Sequence, residues 1–244
     1  MSSLFLGSSS EAFASGGNRL CFVDPRDHRR CIKVLRPDRL PEQKKISQSF
    51  PRSLKPRKYF DDNWQEWRVY RRIDRAIGES AYQLIPRCYE FVETNYGAGL
   101  VTDIITDVDG RISLSLKQIL WQWGQTPQLM QLIESFIDQW SALGMPSRNL
   151  LLHNIVVRCT ESGPERLYVI DGLGWPDLVP FGYWFKTIAS RKARRKAMRL
   201  YPAMASLEVN KNNGKGWGFH GWLNEDQRQI SNSVNSSSYL KQGK

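Results

Sequence analysis

The sequence has 244 residues and a formal net charge of +11, with 41% hydrophobic and 11% aromatic residues. This composition is typical of a globular protein with a sizeable core and excludes an intrinsically disordered chain. No apolar run approaches the roughly 20 residues that span a membrane. The N-terminus also lacks the basic region and long apolar core of a signal peptide. The sequence therefore predicts a cytoplasmic protein.

The first part of the chain, residues 12–106, is predicted to form a β-sheet with one helix. Residues 1–11 are rich in serine and are expected to be mobile. Gly16 and Gly17 precede two short apolar strands, and their backbone N–H groups would be able to approach a phosphate. Adjacent glycines are more often simply a turn, which is the alternative. Lys33 lies inside the second strand, where a buried cation needs a partner or a ligand and an outward-facing lysine is the alternative.

Residues 36–58 are polar, contain four prolines and are predicted to form a long loop. A helix is predicted after this loop, because apolar side chains recur every three or four positions from Phe60 to Ile77. Glu66 projects on the same apolar face, where a carboxylate requires a cation. Lys33 is the natural partner, and an exposed position beside nearby arginines is the alternative.

The second part, residues 107–204, is predicted to be mainly helical and to contain one hairpin. A helix from Gln128 to Leu143 is expected to begin at the capping residue Thr126. Ile155–Arg158 and Leu167–Ile170 are short β-branched and aromatic runs separated by a polar turn with glycine and proline. This pattern predicts an antiparallel hairpin.

The open end of this hairpin brings Asn154 and Asp171 together. An amide oxygen and a carboxylate at that separation can hold one hard cation, such as Mg²⁺, beside a phosphate. The simpler alternative is that Asn154 caps a turn and that Asp171 and Gly172 begin a loop. The residues alone leave both interpretations open.

Seven Lys or Arg residues and no acidic residue occur from Lys186 to Arg199. Such a block predicts an anionic partner, either a membrane surface, nucleic acid or a phosphorylated ligand, and a solvated helix end is the alternative. The block belongs to a helix predicted from Phe181 to Tyr201, with Trp184 among the aromatic residues at its start. Residues 205–244 are rich in Asn, Ser, Gly and Lys and are predicted to be disordered.

The order of these parts resembles the protein-kinase-like fold. Ser147 to Asn154 fall on the kinase loop His-Arg-Asp-Leu-x-x-x-Asn, and Asp171 to Gly174 fall on Asp-Phe-Gly. A closer resemblance is to the YrbL family, described as PhoP regulatory network proteins, and it covers about residues 12 to 200. The segments that carry it are Gly17–Phe22, Asp24–Pro25, Cys31–Lys33, Thr94–Val101 and Ile170–Gly174.

The resemblance implies an α+β, two-lobed protein-kinase-like fold with a shortened C-terminal lobe and a disordered tail. In such a fold Lys33 would contact the α and β phosphates of ATP and would also pair with Glu66. Asn154 and Asp171 would hold Mg²⁺. The resemblance therefore implies ATP and Mg²⁺ as cofactors.

Two further parts of the nucleotide site are implied by the same resemblance. Gly16 and Gly17 would belong to the loop that covers the phosphates. Residues 102–106, with Asp103 among them, would form the hinge between the lobes, whose backbone faces adenine.

The sequence departs from the kinase pattern at several positions. Ala14 and Arg19 stand in place of the outer glycines of the phosphate loop. The position of the catalytic aspartate is Asn149, whose amide cannot accept a substrate proton. His153 is the alternative base, although it lies one residue before the metal ligand Asn154.

These features predict a regulatory pseudokinase or a slow phosphotransferase that binds Mg-ATP. One alternative is an active phosphotransferase on a small molecule or an envelope-lipid precursor, and another is a basic nucleic-acid-binding protein. No recognised nucleic-acid motif accompanies the basic block, so nucleic acid ranks last as a partner. Peripheral docking of residues 186–199 on the inner face of the membrane is the corresponding prediction for localisation.

Overall fold

A computed structural model describes residues 3–47, 49–51, 54–174, 185–218 and 220–230. The described residues form eight β-strands in two antiparallel sheets, seven α-helices and several short 3₁₀ turns. The structure is therefore a mixed α+β arrangement. Its buried apolar side chains form two clusters, a small one on the first sheet and a large one around the second sheet.

The first sheet contains five antiparallel strands. Their bounds are β1 Ala14–Ser15, β2 Arg19–Val23, β3 Arg30–Leu35, β4 Cys88–Thr94 and β5 Gly97–Asp103. They lie side by side in the order β1-β2-β3-β5-β4. Because side chains alternate along a strand, Leu20 and Phe22 of β2 enter the small apolar cluster while Arg19 and Cys21 face the other side. That other side faces the candidate site.

Two helices accompany the first sheet, α1 Pro41–Ile46 and α2 Asp62–Ala76. The Asp61 side chain accepts a hydrogen bond from the backbone N–H of Trp64 at 3.0 Å and caps α2, so the predicted helix is confirmed. The prediction of a long loop over residues 36–58 is wrong where α1 forms. Pro41 occupies the first helical position, at which the missing N–H is not needed.

The second sheet and five further helices form the rest of the structure. The strands are β6 Leu114–Ser115, β7 Ile155–Thr160 and β8 Gly163–Val169. The helices are α3 Leu116–Trp123, α4 Pro127–Ala142, α5 Lys186–Ala197, α6 Leu200–Asn212 and α7 Glu225–Arg228. Strands β7 and β8 pair antiparallel, with Ile155 opposite Val169, and the predicted hairpin is confirmed.

Helix α4 is the central element of the large apolar cluster. The hydroxyl of Thr126 accepts a hydrogen bond from the Leu129 N–H at 3.3 Å, as the sequence predicts for a cap. Ile133 and Trp140 are fully buried on its inner face. Gly144 follows the helix at a φ of 64°, a conformation that favours glycine. The predicted helix from Gln128 to Leu143 is therefore confirmed to within one residue at each end.

Helix α5 packs on α4 through the buried residues Ala193 and Ala197 and leaves Phe185 and Ile188 exposed. The sequence predicts this helix from Phe181, but Phe181 and Trp184 lie outside the described residues. No helix in the described ranges is both long and apolar enough to cross a membrane.

The N-terminal residues differ from the expected mobile segment. Leu4 lies beside β4, where its N–H donates to the Glu93 carbonyl at 2.8 Å and its carbonyl accepts from the Asn95 N–H at 3.2 Å. Leu6 is buried in the small apolar cluster. These contacts fix residues 4–6 on the sheet, whereas residues 1 and 2 lie outside the described part.

The C-terminal residues also differ from the expected disordered tail, which began at residue 205. Helix α6 continues to Asn212. Residues 213–218 and 220–230, the C-terminal strap, then return to the second sheet and α3. Ile112 and Arg228 exchange two hydrogen bonds at 2.9 and 3.0 Å, and Arg228 is only 5% exposed. A few anchoring side chains order this polar segment; residues 231–244 lie outside the described ranges.

Candidate functional site

The face of the first sheet that carries Lys33, together with α2 and the loop after β8, encloses a cavity of about 310 Å³. This volume is at the lower end of the range of small-molecule sites. Most of the lining residues are polar or are glycines. They are Gly16, Gly17, Asn18, Arg19, Cys21, Lys33, Asp62, Gln65, Glu66, Arg148, Ile170, Asp171, Gly172 and Leu173.

Lys33 and Glu66 form the ion pair that the sequence predicts. The Lys33 ammonium donates to Glu66 Oε1 at 2.7 Å and to the Ile170 carbonyl at 3.1 Å. Lys33 is 6% exposed, so the alternative of an outward-facing lysine is wrong. Burial lowers the pKa of Lys33, but Glu66 together with the other acidic groups nearby outweighs this effect, so that the pKa lies above its ordinary value. The lysine is therefore a fixed positive charge at the wall of the cavity.

The hairpin brings Asn154 and Asp171 together, as predicted. Its last cross-strand bond runs from the Ile170 N–H to the Asn154 carbonyl at 2.9 Å, directly before Asp171. Asp171 lines the cavity and its side chain is 54% exposed. Burial raises its pKa, but Arg19 and Lys33 outweigh this effect and hold the pKa below its ordinary value. Asp171 is thus an ionised carboxylate at the cavity.

Gly172 allows the segment before the hairpin to contact the Asp171 loop. Its φ is 81°, and its carbonyl accepts a hydrogen bond from the Arg148 N–H at 2.7 Å. A Cβ at Gly172 would lie 2.4 Å from the Asn149 carbonyl oxygen and 3.1 Å from Asn154 Nδ2. Only glycine permits this approach. Asn149, at the predicted base position, is exposed next to this contact.

Arg19 is a site residue that the sequence reasoning did not assign. Its side chain is only 11% exposed, and its guanidinium contacts Glu66 and lies 2.9 Å from Asp171 Oδ2. Burial lowers the pKa of Arg19, but both carboxylates outweigh it and raise the pKa well above its ordinary value. The alternation of side chains along β2 indicates this position of Arg19. Cys21 lies opposite Lys33, and Arg19, two residues before Cys21, lies on the same face of the sheet.

Gly16 and Gly17 line the cavity, but the turn does not require either of them to be glycine. A Cβ at Gly17 would meet no atom within 4 Å, and neither residue has a positive φ. The N–H of Gly16 already donates to the Arg19 carbonyl at 2.8 Å. The N–H of Gly16 is thus already engaged within the turn.

Asp103 lies at the end of β5 and does not line the cavity. One of its carboxylate oxygens accepts from the Tyr89 hydroxyl at 2.7 Å, and the other accepts from the Arg87 N–H at 3.0 Å. Its backbone N–H is bonded to the Arg87 carbonyl at 3.0 Å. These bonds secure the start of β4, and the cofactor position that the resemblance implies for Asp103 stays a prediction.

His153 is half-buried and also lies outside the cavity lining. Its ring is 5.7 Å from that of His220 in the C-terminal strap. Burial and the neighbouring His220 and Lys117 lower its pKa, so the imidazole is neutral at neutral pH. The structure places the candidate base beside the strap.

The donor set at the cavity fits Mg²⁺ carried by a phosphate ligand. Asp171 supplies a carboxylate and Lys33 a cation for phosphate oxygens, whereas the Asn154 amide lies beside Gly172 and outside the cavity lining. Mg²⁺ usually takes one or two protein carboxylates and keeps waters or phosphates as its other ligands. In the described ranges no group of three or more His, Cys, Asp or Glu residues forms a closed metal site.

Comparison with known proteins identifies the family. The family model described as "PhoP regulatory network protein YrbL" matches residues 7–205. The chain is 26% identical over 209 residues to the Escherichia coli K12 protein named "Uncharacterized protein YrbL", covering 81% of this chain and 88% of that protein. The Shigella flexneri protein of the same name gives the same values. The chain therefore belongs to the YrbL family of PhoP regulatory network proteins.

Proposed function

We propose that this protein has a protein-kinase-like fold and binds a Mg²⁺–nucleotide in the cavity, as a regulatory pseudokinase or slow phosphotransferase. The observation that carries this proposal is the convergence of Lys33, Glu66 and Asp171 on one cavity. These residues come from β3, α2 and the end of the hairpin, and they meet although they are far apart in sequence. An antiparallel five-stranded sheet with a glutamate-bearing helix also supports the kinase-like arrangement.

Each residue has a distinct role in this proposal. The Lys33 ammonium, oriented by Glu66, binds phosphate oxygens and offsets their charge. Asp171 and Asn154 hold Mg²⁺, which when bound would screen the charge of the phosphates. Arg148, 2.9 Å from the Gln65 side chain, provides another cation at the cavity. These groups favour phosphate binding over recognition of the base.

Weak or absent phosphotransfer follows from the residue at the base position. Asn149 carries an amide, which does not accept a proton at neutral pH. His153 is neutral but lies outside the cavity lining. Phosphotransfer to a small molecule or an envelope-lipid precursor is the alternative, and it would require another base.

We also propose that α5 docks on an anionic membrane surface. Lys186, Arg191 and Arg195 are exposed on it, together with Phe185 and Ile188. Exposed aromatic and aliphatic side chains among cations are typical of helices that bind lipid surfaces. Binding of nucleic acid through the same cations is the other candidate, and no accompanying motif supports it.

The first prediction is that Mg-ATP raises the melting temperature of the protein. Ligand binding stabilises the folded state by about 2.7 kcal/mol when the ligand is at 100 times its dissociation constant. The variants Lys33→Ala and Asp171→Ala should each remove most of this stabilisation. Differential scanning fluorimetry with millimolar ATP and Mg²⁺ measures the shift.

Lys55→Ala is the matched control, because Lys55 is an exposed lysine outside the cavity lining. This control should keep the full shift. If the parent protein shows no shift with millimolar nucleotide and Mg²⁺, the proposed function is wrong. Circular dichroism establishes that each variant is folded.

A further inference from the structure

Arg19 lines the cavity and is held by two carboxylates. It contacts Glu66, and its second terminal nitrogen lies 2.9 Å from Asp171 Oδ2. The other oxygen of Asp171 accepts the Gly172 N–H at 2.6 Å. Both oxygens of the carboxylate proposed to hold a metal are therefore already engaged by donors of this chain.

The charges of the cluster balance in this arrangement. Arg19 and Lys33 carry two positive charges, and Glu66 and Asp171 carry two negative charges. Three of the four side chains are at most 11% exposed, so an unbalanced charge there is poorly compensated by water. A divalent cation bound alone to Asp171 would add two positive charges and would separate Arg19 from this partner.

The separation would leave Arg19 and Lys33 to share one carboxylate, Glu66. A guanidinium in this position needs a new anion, and its planar array of donors matches phosphate oxygens. A phosphate that enters the cavity next to Lys33 would provide that anion. The phosphate would therefore balance the positive charge that the metal adds to the cluster. The metal would in turn balance the negative charge that the phosphate adds.

We propose that Arg19 is a tethered cation that holds Asp171 until a phosphate arrives, and that it then exchanges the carboxylate for the phosphate. The inference rests on the proposed function, because it concerns the same metal–phosphate site. Arg19 stands in place of an outer glycine of the kinase phosphate loop in the resemblance, and the inference gives that replacement an effect on metal binding. A divalent metal alone binds weakly, and metal and nucleotide bind cooperatively.

The test uses Mn²⁺ in place of Mg²⁺, because free Mn²⁺ is counted directly by its paramagnetic resonance signal. The full chain is titrated with Mn²⁺, alone and with a non-hydrolysable ATP analogue. In the parent protein the analogue should tighten Mn²⁺ binding. Arg19→Met should bind Mn²⁺ alone about tenfold more tightly than the parent, equivalent to about 1.4 kcal/mol. The additional effect of the analogue should become smaller in that variant.

Three variants make the result specific. Arg19→Lys keeps the charge and should retain weak binding of Mn²⁺ alone, which provides a second measurement if Arg19→Met folds poorly. Lys55→Met removes an exposed cation outside the cavity lining, and it should leave Mn²⁺ binding as in the parent protein. Adding Asp171→Asn to Arg19→Met should remove the gained affinity, which localises the metal to Asp171.

The outcomes separate this inference from the proposed function. If Arg19→Met and the parent bind Mn²⁺ alone equally well, while the analogue still binds, the role of Arg19 is wrong and the nucleotide site stands. A loss of analogue binding in Arg19→Lys, with metal binding unchanged, also overturns the exchange. If the folded parent binds neither Mn²⁺ nor the analogue, both proposals fail.

Discussion

Gly172 is the residue at which backbone conformation and close packing at the site coincide. Its φ of 81° is unfavourable for a residue with a Cβ, and that Cβ would also collide with the Asn149 carbonyl oxygen. Gly110 provides a matched comparison, because its φ is 80° and a Cβ there would meet no atom within 4 Å. The two positions differ only in what surrounds them.

The second prediction uses this comparison. Gly110→Ala should lower the free energy of unfolding by roughly 1–2 kcal/mol, the cost of the left-handed conformation. Gly172→Ala should cost clearly more, because the Asn149 backbone must also move. Urea denaturation of both variants measures the difference. Equal losses would mean that the loop relaxes without cost, and the close contact would then not restrain the site.

Substitution of Asn149 tests phosphate transfer at the site separately from nucleotide binding. The third prediction is that the parent protein releases phosphate from ATP very slowly, whereas Asn149→Asp does so faster. A positioned base contributes roughly 10²–10⁴-fold to a rate. Release of inorganic phosphate, with water as the acceptor, is the measurement, and Asn149→Ala is the control. Substantial turnover in the parent that persists in Asn149→Ala would place the base elsewhere.

At the scale of elements, helix α2 orients the cavity through two residues one turn apart. Glu66 pairs with the Lys33 ammonium, and the buried Asn63 amide donates to the Lys33 carbonyl at 2.8 Å. The same amide approaches the Ala98 carbonyl at 3.4 Å. The start of α2 is thus bonded to the backbones of both β3 and β5. A movement of α2 would therefore separate Glu66 from Lys33 and change the wall of the cavity.

Helix α5 carries the fourth prediction, which concerns lipid binding. Lys186, Arg191 and Arg195 are exposed, whereas Arg194 pairs with Asp138 at 2.8 Å and Lys196 contacts the Ser147 carbonyl. Replacing the first three residues by serine should weaken binding to anionic vesicles by about 100-fold, at about 1 kcal/mol per basic residue. Co-sedimentation with phosphatidylserine vesicles at low and high salt measures the loss.

The matched control removes the same amount of charge elsewhere. Arg29, Arg39 and Arg57 are exposed and lie outside α5, and their replacement by serine should largely preserve vesicle binding. Binding of the parent to neutral vesicles with equal affinity would exclude docking by charge. Tighter, salt-sensitive binding to RNA or DNA than to vesicles would favour the nucleic-acid alternative.

At the scale of the whole molecule, several side chains attach the C-terminal strap: Ser115, Lys117 and Gln118 bond to its backbone, and Arg228 anchors it from within as a buried arginine. Arg228 lies 2.8 Å from Asp107 Oδ2, and Asp107 also accepts from Ser113 and from the Cys159 N–H. The fifth prediction is that Arg228→Ala lowers the free energy of unfolding by about 3 kcal/mol, the lower end for breaking a buried ion pair. We expect the lower value because Ser113 and the Cys159 N–H still donate to Asp107 in the variant.

Arg111→Ala is the control for this prediction. Arg111 pairs with Asp109 at 2.6 Å and with Glu225 at 3.0 Å, but these side chains are exposed, so the loss should be under about 1 kcal/mol. Chemical denaturation measures both variants. A similar small loss for Arg228→Ala would mean that its buried ion pair contributes little to the stability of the fold.

The elements that the sequence predicts well are those governed by local periodicity. Helices α2 and α4 and the β7–β8 hairpin follow from repeating apolar positions, caps and turn residues within a short stretch. The Lys33–Glu66 pair was also predictable, because a charged residue on a packed face requires a partner. The juxtaposition of Asn154 and Asp171 follows from the hairpin itself.

The features that escaped prediction depend on contacts between distant residues. Arg19 reaches Asp171 only because the first sheet and the second hairpin meet, which strand alternation alone does not indicate. The strap has no periodicity, and its order rests on bonds such as Arg228 to Ile112. The bonds of the Asp103 carboxylate to Tyr89 and to the Arg87 N–H likewise join residues that no local pattern relates.

The strap also determines when this chain can complete its fold during synthesis. Its contacts join Arg228 to Asp107 and Ile112, so more than a hundred residues must leave the ribosome between one partner and the other. The first sheet contains all of its own strands by residue 103 and has no such delay. Parts of a chain that are synthesised first generally fold first. We therefore expect the first sheet to form early and to leave its cavity face, with Arg19 and Lys33, uncovered until the loop that carries Asp171 has been synthesised.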